Sequence, residues 1–203
     1  AKGNPQQLIE LYSEVQKAHG LYGSIAGGEA FRRSVWNEVV SNADQYNDPG
    51  KFTAFIGYEW TSHDFNLHRV VVIKDDAKQA GRFLPFSQYD SKKPEDLWAY
   101  LSRYEQETQG EAIAIPHNGN LSQGHMFMLE DSEGLPFDKT YALTRSRWEP
   151  LYEVTQIKGD SETHPLLAPN DEFADYEIWL GINETEPENS WRKYEYARSA
   201  LKL

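Results

Sequence analysis

The sequence predicts an α/β fold with a mostly parallel sheet and flanking helices, and three observations lead to it. Segments with apolar residues at helical spacing alternate with short segments rich in β-formers, which is typical of α/β proteins. Hydrophobic residues make up 39% of the chain and charged residues 26%, as in ordinary globular domains. A length of 203 residues suits one well-formed core. We therefore expect a single domain over residues 1–203.

Five segments show the apolar periodicity of amphipathic helices. The expected helices cover residues 5–20, 31–40, 94–110, 140–147 and 191–203. Pro94 suits the first turn of the third helix, because a residue there needs no partner for a backbone N–H. These helices are expected to flank the sheet.

Four segments rich in β-branched and aromatic residues predict strands. The expected strands cover residues 52–60, 68–74, 112–116 and 151–157. Only seven residues separate the first two strands, whereas a parallel crossover needs about a dozen or more. The second strand is therefore expected to return antiparallel to the first, which places His68 at the same end of the sheet as Glu59.

Charge and composition exclude several classes of function. The chain has 20 basic and 32 acidic side chains, and a net charge of −12 makes nucleic acid unsuitable as a bulk partner. It has no cysteine, which excludes disulfides and thiolate metal sites and fits the cytoplasm and the bacterial periplasm equally. No apolar run is long enough to span a membrane. The sequence does not indicate an oligomeric state.

Polar residues collect where the predicted strands meet loops. Glu59, His68, His117 and His164 each lie at such a junction. Because functional side chains gather at the carboxyl ends of parallel strands, these four are expected to converge on one cavity. Histidine and carboxylate ligands without thiolate suit zinc, manganese or iron. Each residue also has a structural explanation, and for His68 alone the capping of the returning strand is the simpler one.

Four longer motifs resemble one known family. They are FTAFIGYEWTS, NLHRVVVI, AIPHNGNLS and EVTQIKGDSETHP, in this order between residues 50 and 180. They resemble a bacterial branch of the PHP (polymerase and histidinol phosphatase) superfamily that is catalogued as a domain of unknown function. The resemblance implies a distorted (β/α) barrel with a two- or three-metal centre. It also implies Glu59 as the bridging carboxylate, His117 as a ligand after the next inner strand, and His164 as a later ligand.

Two motifs of that superfamily are missing from the chain. The opening His-x-His and the closing Asp-x-His do not occur in the 203 residues. The first and last barrel strands are therefore expected to be absent, which leaves a partial barrel. The chain alone is then expected to bind its divalent ions weakly and to turn over little substrate.

The resemblance implies a metal-dependent, phosphoesterase-like hydrolase with a small phosphorylated substrate. Glu59 and His117 are the expected catalytic residues, because ions bridged by Glu59 would activate a water molecule. Arg69 and Lys158 are expected to bind phosphate oxygens, and Asn118 is counted with them as a substrate-binding residue. A role as ordinary solvated surface cations would explain Arg69 and Lys158 equally well.

Two alternative functions remain open at the level of the sequence. Glu59 and Glu153 follow or lie on predicted strands, and paired carboxylates with many aromatic residues are typical of a metal-free glycosidase. The second alternative is a non-catalytic binding domain that keeps the loops but lacks a complete metal site.

Overall fold

The computed structural model describes residues 28–62, 64–179 and 193–201. The helix predicted over residues 5–20 lies outside this part of the chain, as does part of the helix predicted over 191–203. The helices are α1 (Gly28–Tyr46), α2 (Ala77–Ala80), α3 (Pro94–Thr108), α4 (Lys139–Trp148) and α5 (Ala197–Ala200), with a 3-10 helix at Gly119–Leu121. The strands are β1 (Ile56–Trp60), β2 (Arg69–Ile73), β3 (Ala112–Pro116), β4 (Thr155–Gln156) and β5 (Gly159–Asp160). The helices predicted over 31–40, 94–110 and 140–147 are thereby confirmed.

The main sheet is antiparallel throughout. Its strand order is β1-β2-β3, and both pairs run antiparallel. β4 and β5 form a separate two-stranded antiparallel sheet. The expected mostly parallel sheet and partial distorted (β/α) barrel are therefore wrong, since the described residues contain no parallel pair and no closed barrel. The antiparallel return of the second strand onto the first is confirmed.

The long connection between β2 and β3 explains why the sheet is not parallel. Ile73, the last residue of β2, pairs with Ala112, the first residue of β3. Just outside the strands, the Lys74 N–H donates to the Glu111 carbonyl at 3.0 Å. The excursion that carries α2 and α3 thus begins and ends at the same end of the sheet. β3 therefore begins at the end of the sheet where β2 finishes, and it must run antiparallel to β2.

The strand predicted over residues 151–157 is mostly wrong. Only Thr155–Gln156 has strand structure, and it pairs with β5 instead of the main sheet. A single backbone hydrogen bond joins this segment to β3, from the Glu153 N–H to the Pro116 carbonyl at 3.1 Å. Leu151 and Val154 stay 57% and 42% exposed. The apolar residues that suggested a buried strand therefore have no covering layer among the described residues.

The core lies on one face of the main sheet. Trp60, Val71 and Ala114 point to this face by strand alternation, and each is fully buried. Helix α3 begins at Pro94 and buries an apolar stripe that the sequence predicted, consisting of Leu97, Trp98, Leu101 and Tyr104. Each such side chain contributes about 1.5–3 kcal/mol when it leaves water. This packing covers one face of the three strands and leaves Glu59 on the other face.

Candidate metal site

Three of the predicted ligands lie on the same face of the sheet. Glu59 pairs with Val70 in β2, and Val70 pairs with Ile115 in β3. His68 and His117 are one residue outside these strands, and the His117 N–H donates to the His68 carbonyl at 3.3 Å. Because side chains alternate along a strand, Glu59, His68 and His117 all point away from the face that carries the core. The predicted placement of His68 at the same end as Glu59 is confirmed.

The three side chains meet at one carboxylate oxygen. Glu59 Oε1 lies 2.9 Å from His68 Nδ1 and 3.2 Å from His117 Nε2. The two imidazole rings are 5.7 Å apart between centroids and nearly perpendicular, at 83°. Each residue offers one ligand atom, and these atoms all lie within 4.8 Å of one another. They form the candidate metal group.

The spacing of these atoms fits a single divalent ion. Ligand atoms at the usual 2.0–2.2 Å from a tetrahedral zinc lie about 3.3–3.6 Å from one another. The two measured separations of 2.9 and 3.2 Å are slightly shorter and correspond to hydrogen bonds. An ion would replace those hydrogen bonds once the three ligand atoms, which lie within 4.8 Å of one another, close around it. Two imidazoles and one carboxylate form a ligand set found for zinc and for non-haem iron.

The group is half open to solvent. The Glu59 side chain is 47% exposed, whereas His68 and His117 are 14% and 8% exposed. Burial alone would raise the pKa of Glu59, but the hydrogen bonds and charges of His68 and His117 outweigh it and hold that pKa below its ordinary value. Burial lowers the pKa of His68, although the Glu59 carboxylate partly opposes this. At neutral pH, Glu59 is thus ionised and His68 neutral, the states that metal ligation requires.

Lys158 lies close to the candidate metal group, and Asn118 follows its ligand His117 in the chain. The charge of Lys158 is close enough to contribute to the lowered pKa of His68, after the larger effect of burial. Its backbone carbonyl accepts a hydrogen bond from Asn120 Nδ2 at 2.9 Å, which fixes the loop beside the 3-10 helix. Asn118 is buried and adopts a left-handed conformation with φ 61°. Its Oδ1 atom is buried without a hydrogen-bond partner among the described residues.

Arg69 points to the opposite face of the sheet. Its side chain is 2% exposed, and its Nε donates to Glu149 Oε1 at 2.8 Å. Its Nη1 donates to the Leu67 carbonyl at 2.8 Å. Alternation along β2 therefore separates Arg69 from its neighbour His68. The guanidinium of Arg69 is therefore occupied in the core and is not part of the candidate metal site.

His164 also lies outside the candidate metal group. Its Nδ1 accepts a hydrogen bond from the Leu166 N–H at 3.2 Å, and its ring lies 5.7 Å from that of Tyr196. Backbone hydrogen bonds from Ala197 and Arg198 hold the preceding residues 161–162 against the end of the chain. The loop that carries His164 thus turns toward α5.

Tyr152 supports the loop after His117, a role that the sequence did not reveal. Its hydroxyl oxygen accepts a hydrogen bond from the Gly119 N–H at 3.1 Å. A Cβ atom on Gly119 would lie 2.0 Å from that oxygen and 2.4 Å from the Glu195 carbonyl oxygen. Only glycine fits at this position. The Asn118-Gly119 dipeptide is therefore the feature of the sequence that could have indicated a close contact after His117.

The fold and the site define a mixed α/β protein with a two-histidine, one-carboxylate candidate metal group. A family described as "Protein of unknown function (DUF3604)" matches residues 3–203, and the chain belongs to this family. The prediction of a domain family of unknown function is thereby confirmed. No curated protein matches the chain, and no solved structure matches it.

The assignment to the PHP superfamily is corrected by these findings. The matching family is the one of unknown function, and the antiparallel sheet lacks the barrel that the superfamily implies. The motifs were long and correctly ordered, but they identify short local segments around strand ends. They do not determine how the strands pair.

Across the described ranges, no helix is both long and apolar enough to cross a lipid bilayer.

Proposed function

We propose that this protein is a metal-dependent hydrolase that cleaves a phosphoester bond in a small phosphorylated substrate. The observation that supports it best is the convergence of Glu59, His68 and His117, whose ligand atoms lie within 4.8 Å of one another. All three side chains are of types that bind zinc, manganese or iron. They are held by a rigid sheet, so the group does not depend on a long loop for its geometry.

The ligand number favours a catalytic site over a structural one. Structural zinc sites use four protein ligands, whereas catalytic sites use about three and leave a position for water or substrate. The candidate metal group has three, and Glu59 is half exposed. Solvent and a small substrate can therefore reach the ligand atoms. When bound, a divalent ion supplies Lewis-acid chemistry and lowers the pKa of water toward about 7.

The charge balance around the group favours an anionic substrate. A carboxylate and two imidazoles bind a metal as one anion and two neutral ligands, which leaves a bound divalent ion only half compensated. The exposed Lys158 adds a further positive charge nearby. This local positive charge would attract a phosphate despite the net charge of −12 on the chain. Lys158 would then bind a non-bridging phosphate oxygen.

The first experiment measures metal binding directly. Isothermal titration with zinc and with manganese should show one ion per chain for the wild type, and strongly weakened binding for Glu59→Gln and His117→Gln. Glu111→Gln is the matched control, because Glu111 pairs with Lys74 at the opposite end of the sheet. Equal affinities of the wild type and Glu59→Gln would remove the candidate metal group from the proposal.

The second experiment separates the proposal from the two alternative functions. Hydrolysis of an aryl phosphate should require zinc or manganese and stop when a chelator is added. A metal-free glycosidase would resist the chelator and depend on Glu153, which is exposed and accepts a hydrogen bond from Gln156 Nε2 at 2.9 Å. Metal binding without any turnover would indicate the non-catalytic binding domain.

A further inference from the structure

A cavity of about 510 Å³ lies on the core side of the molecule, between α4, α5 and residues 127–129. Most of its lining is apolar, including Phe127, Phe137, Val154 and Leu201. Val154 and Leu201 remain 42% and 87% exposed. Its volume is within the range of about 300–1,000 Å³ that is usual for small-molecule sites. The cavity thus has the size and the walls of a site for an apolar group.

One side chain in the cavity wall, Arg145, carries a charge that the described residues do not satisfy. Its Nε donates to Glu149 Oε2 at 3.1 Å, but its Nη2 is buried without a hydrogen-bond partner among the described residues. The side chain is only 15% exposed. Its guanidinium carbon lies 5.0 Å from the centroid of the Phe127 ring, which holds the group at the wall.

The neighbouring carboxylate cannot balance this charge. Glu149 Oε1 already accepts hydrogen bonds from Arg69 Nε at 2.8 Å and Trp98 Nε1 at 3.0 Å. Two guanidinium groups therefore share one carboxylate in a largely buried cluster. Glu95 lines an adjoining cavity that Arg145 also borders, but its oxygens accept hydrogen bonds from Tyr141 and from Ser132. Among the described side chains, two guanidinium groups thus pair with the one carboxylate of Glu149 beside an apolar space.

We propose that this cavity binds an amphiphilic monoanion whose carboxylate pairs with Arg145 and whose apolar chain fills the space between α4 and α5. A buried guanidinium nitrogen without a hydrogen-bond partner is costly, and an anion with two oxygens matches the fork of N–H groups on Arg145. The apolar lining excludes a wholly polar anion, because such a molecule would lose hydration without gaining partners. A carboxylate on an alkyl chain satisfies both requirements. The inference does not depend on the candidate metal group, which lies on the other face of the sheet.

Isothermal titration with three amphiphilic probes tests this proposal. Decanoate, decanol and decyltrimethylammonium share a chain length but differ in charge, and each is used below its aggregation concentration. A chelator is present throughout, so that decanoate cannot bind through a metal ion. We expect one decanoate per chain, roughly tenfold or more tighter than decanol, since hydrogen bonds to a charged group are the stronger kind. The cationic probe should not bind measurably.

Two variants locate the binding. Arg145→Met should weaken decanoate to the affinity of decanol and leave decanol itself unchanged. Ala142→Phe, which narrows the cavity and keeps Arg145, should weaken both probes. Arg32→Met, at an exposed position of α1, is the control and should bind decanoate like the wild type.

Several outcomes would overturn the proposal. Equal affinities for decanoate and decanol would show that the charge of Arg145 plays no part. Absence of binding by both, or unchanged decanoate binding by Ala142→Phe, would show that the cavity is not the site. If Arg145→Met loses its near-ultraviolet circular dichroism, Ala142→Phe alone decides.

Discussion

His68 and Arg69 are neighbours in the chain, yet they belong to two ionic clusters of opposite character. Arg69 points into the core, where Glu149, at 2% exposure, accepts hydrogen bonds from it, from Trp98 and from Arg145. His68 points to the open face, where it contacts Glu59 at 2.9 Å. The Glu59 side chain is 47% exposed. The closed cluster, formed by Arg69, Trp98, Arg145 and Glu149, therefore lies on one face of the sheet. The open cluster, which is the candidate metal group, lies on the other face.

This difference shows which of the two carboxylates, Glu59 or Glu149, can bind an ion. Both oxygens of Glu149 are used by neighbouring side chains, because a buried carboxylate without partners would be strongly destabilising. In the candidate metal group one oxygen of Glu59 serves both histidines, and its other oxygen has no hydrogen-bond partner among the described residues. A group with unused ligand atoms and solvent access can bind an ion. The Arg69–Glu149 pair serves the fold.

The largest expected effect follows from breaking the closed cluster. Arg69→Met leaves Glu149 buried with fewer partners, and loss of one partner of a buried pair costs about 3–5 kcal/mol. The free energy of unfolding, measured with urea at neutral pH, should fall by that amount. Metal binding by the folded fraction should survive, since Arg69 points away from the candidate metal group.

An exposed ion pair provides the control for that experiment. Lys74 pairs with Glu111 at 2.8 Å, but both side chains are about two-thirds exposed, at 67% and 65%. Lys74→Met should change the free energy of unfolding far less than Arg69→Met does, because solvent screens the exposed pair. A similar loss in both variants would mean that burial does not distinguish the two pairs.

The next effect concerns the open cluster. Zinc at about one hundred times its dissociation constant should raise the free energy of unfolding by about 2.7 kcal/mol, because the ion binds only the folded chain. A chelator should reverse the increase, and His117→Gln should not show it. The measurement is a urea titration with and without zinc. An equal increase in His117→Gln would place the ion elsewhere.

Much of the fold near the site could be predicted from the sequence, because local patterns determine it. The apolar stripe of α3 and the short connection between β1 and β2 were sufficient to predict a helix at 94–110 and an antiparallel return. The direction of β3 was not predictable in this way. It depends on the excursion 74–111 closing on itself at Ile73 and Ala112, which is a tertiary property. The alternation of helices and strands therefore suggested a parallel sheet that does not form.

The candidate site was predictable to the extent that strand ends define it. Glu59, His68 and His117 follow from the strand boundaries, and the structure brings them together. Arg69 shows the limit, because a one-residue error in register moves a side chain to the other face of a sheet. His164 shows a second limit of prediction from the sequence, since its loop is positioned by backbone contacts to residues 197–198 that no local pattern reveals.

The closed cluster should also make the protein sensitive to acid. Burial would raise the pKa of Glu149, but the charges of Arg69 and Arg145 outweigh it and hold that pKa below its ordinary 4.5. A carboxyl with a lower pKa in the folded state stabilises the fold above the unfolded-state pKa. This stability is lost as the pH falls from about 4.5 through the folded-state pKa. Glu149→Gln should be less stable at neutral pH, and its free energy of unfolding should fall less between pH 5 and pH 3 in urea titrations.

A carboxylate outside the core tests the cause of that acid sensitivity. Glu111→Gln should keep the pH dependence of the wild type, because solvent screens its exposed pair with Lys74. If the free energy of unfolding of Glu149→Gln fell with pH as steeply as that of the wild type, other carboxylates would cause the acid sensitivity.

The smallest expected effect concerns Lys158, at the edge of the open cluster. Its side chain is exposed, so its attraction for a phosphate is limited to about 0.2–1 kcal/mol. In the zinc-loaded protein, Lys158→Met should weaken phenylphosphonate binding by no more than about fivefold, and the loss should shrink at high salt.

Burial is the main cause of the lowered pKa of His68, and the charge of Lys158 adds to it. In the metal-free protein, nuclear magnetic resonance titration of Lys158→Met should therefore show a higher pKa for His68. Lys78→Met, at an exposed position of α2, should change neither value. A loss of phenylphosphonate binding without any change in the pKa of His68 would mean that Lys158 acts through the shape of its loop and not through its charge.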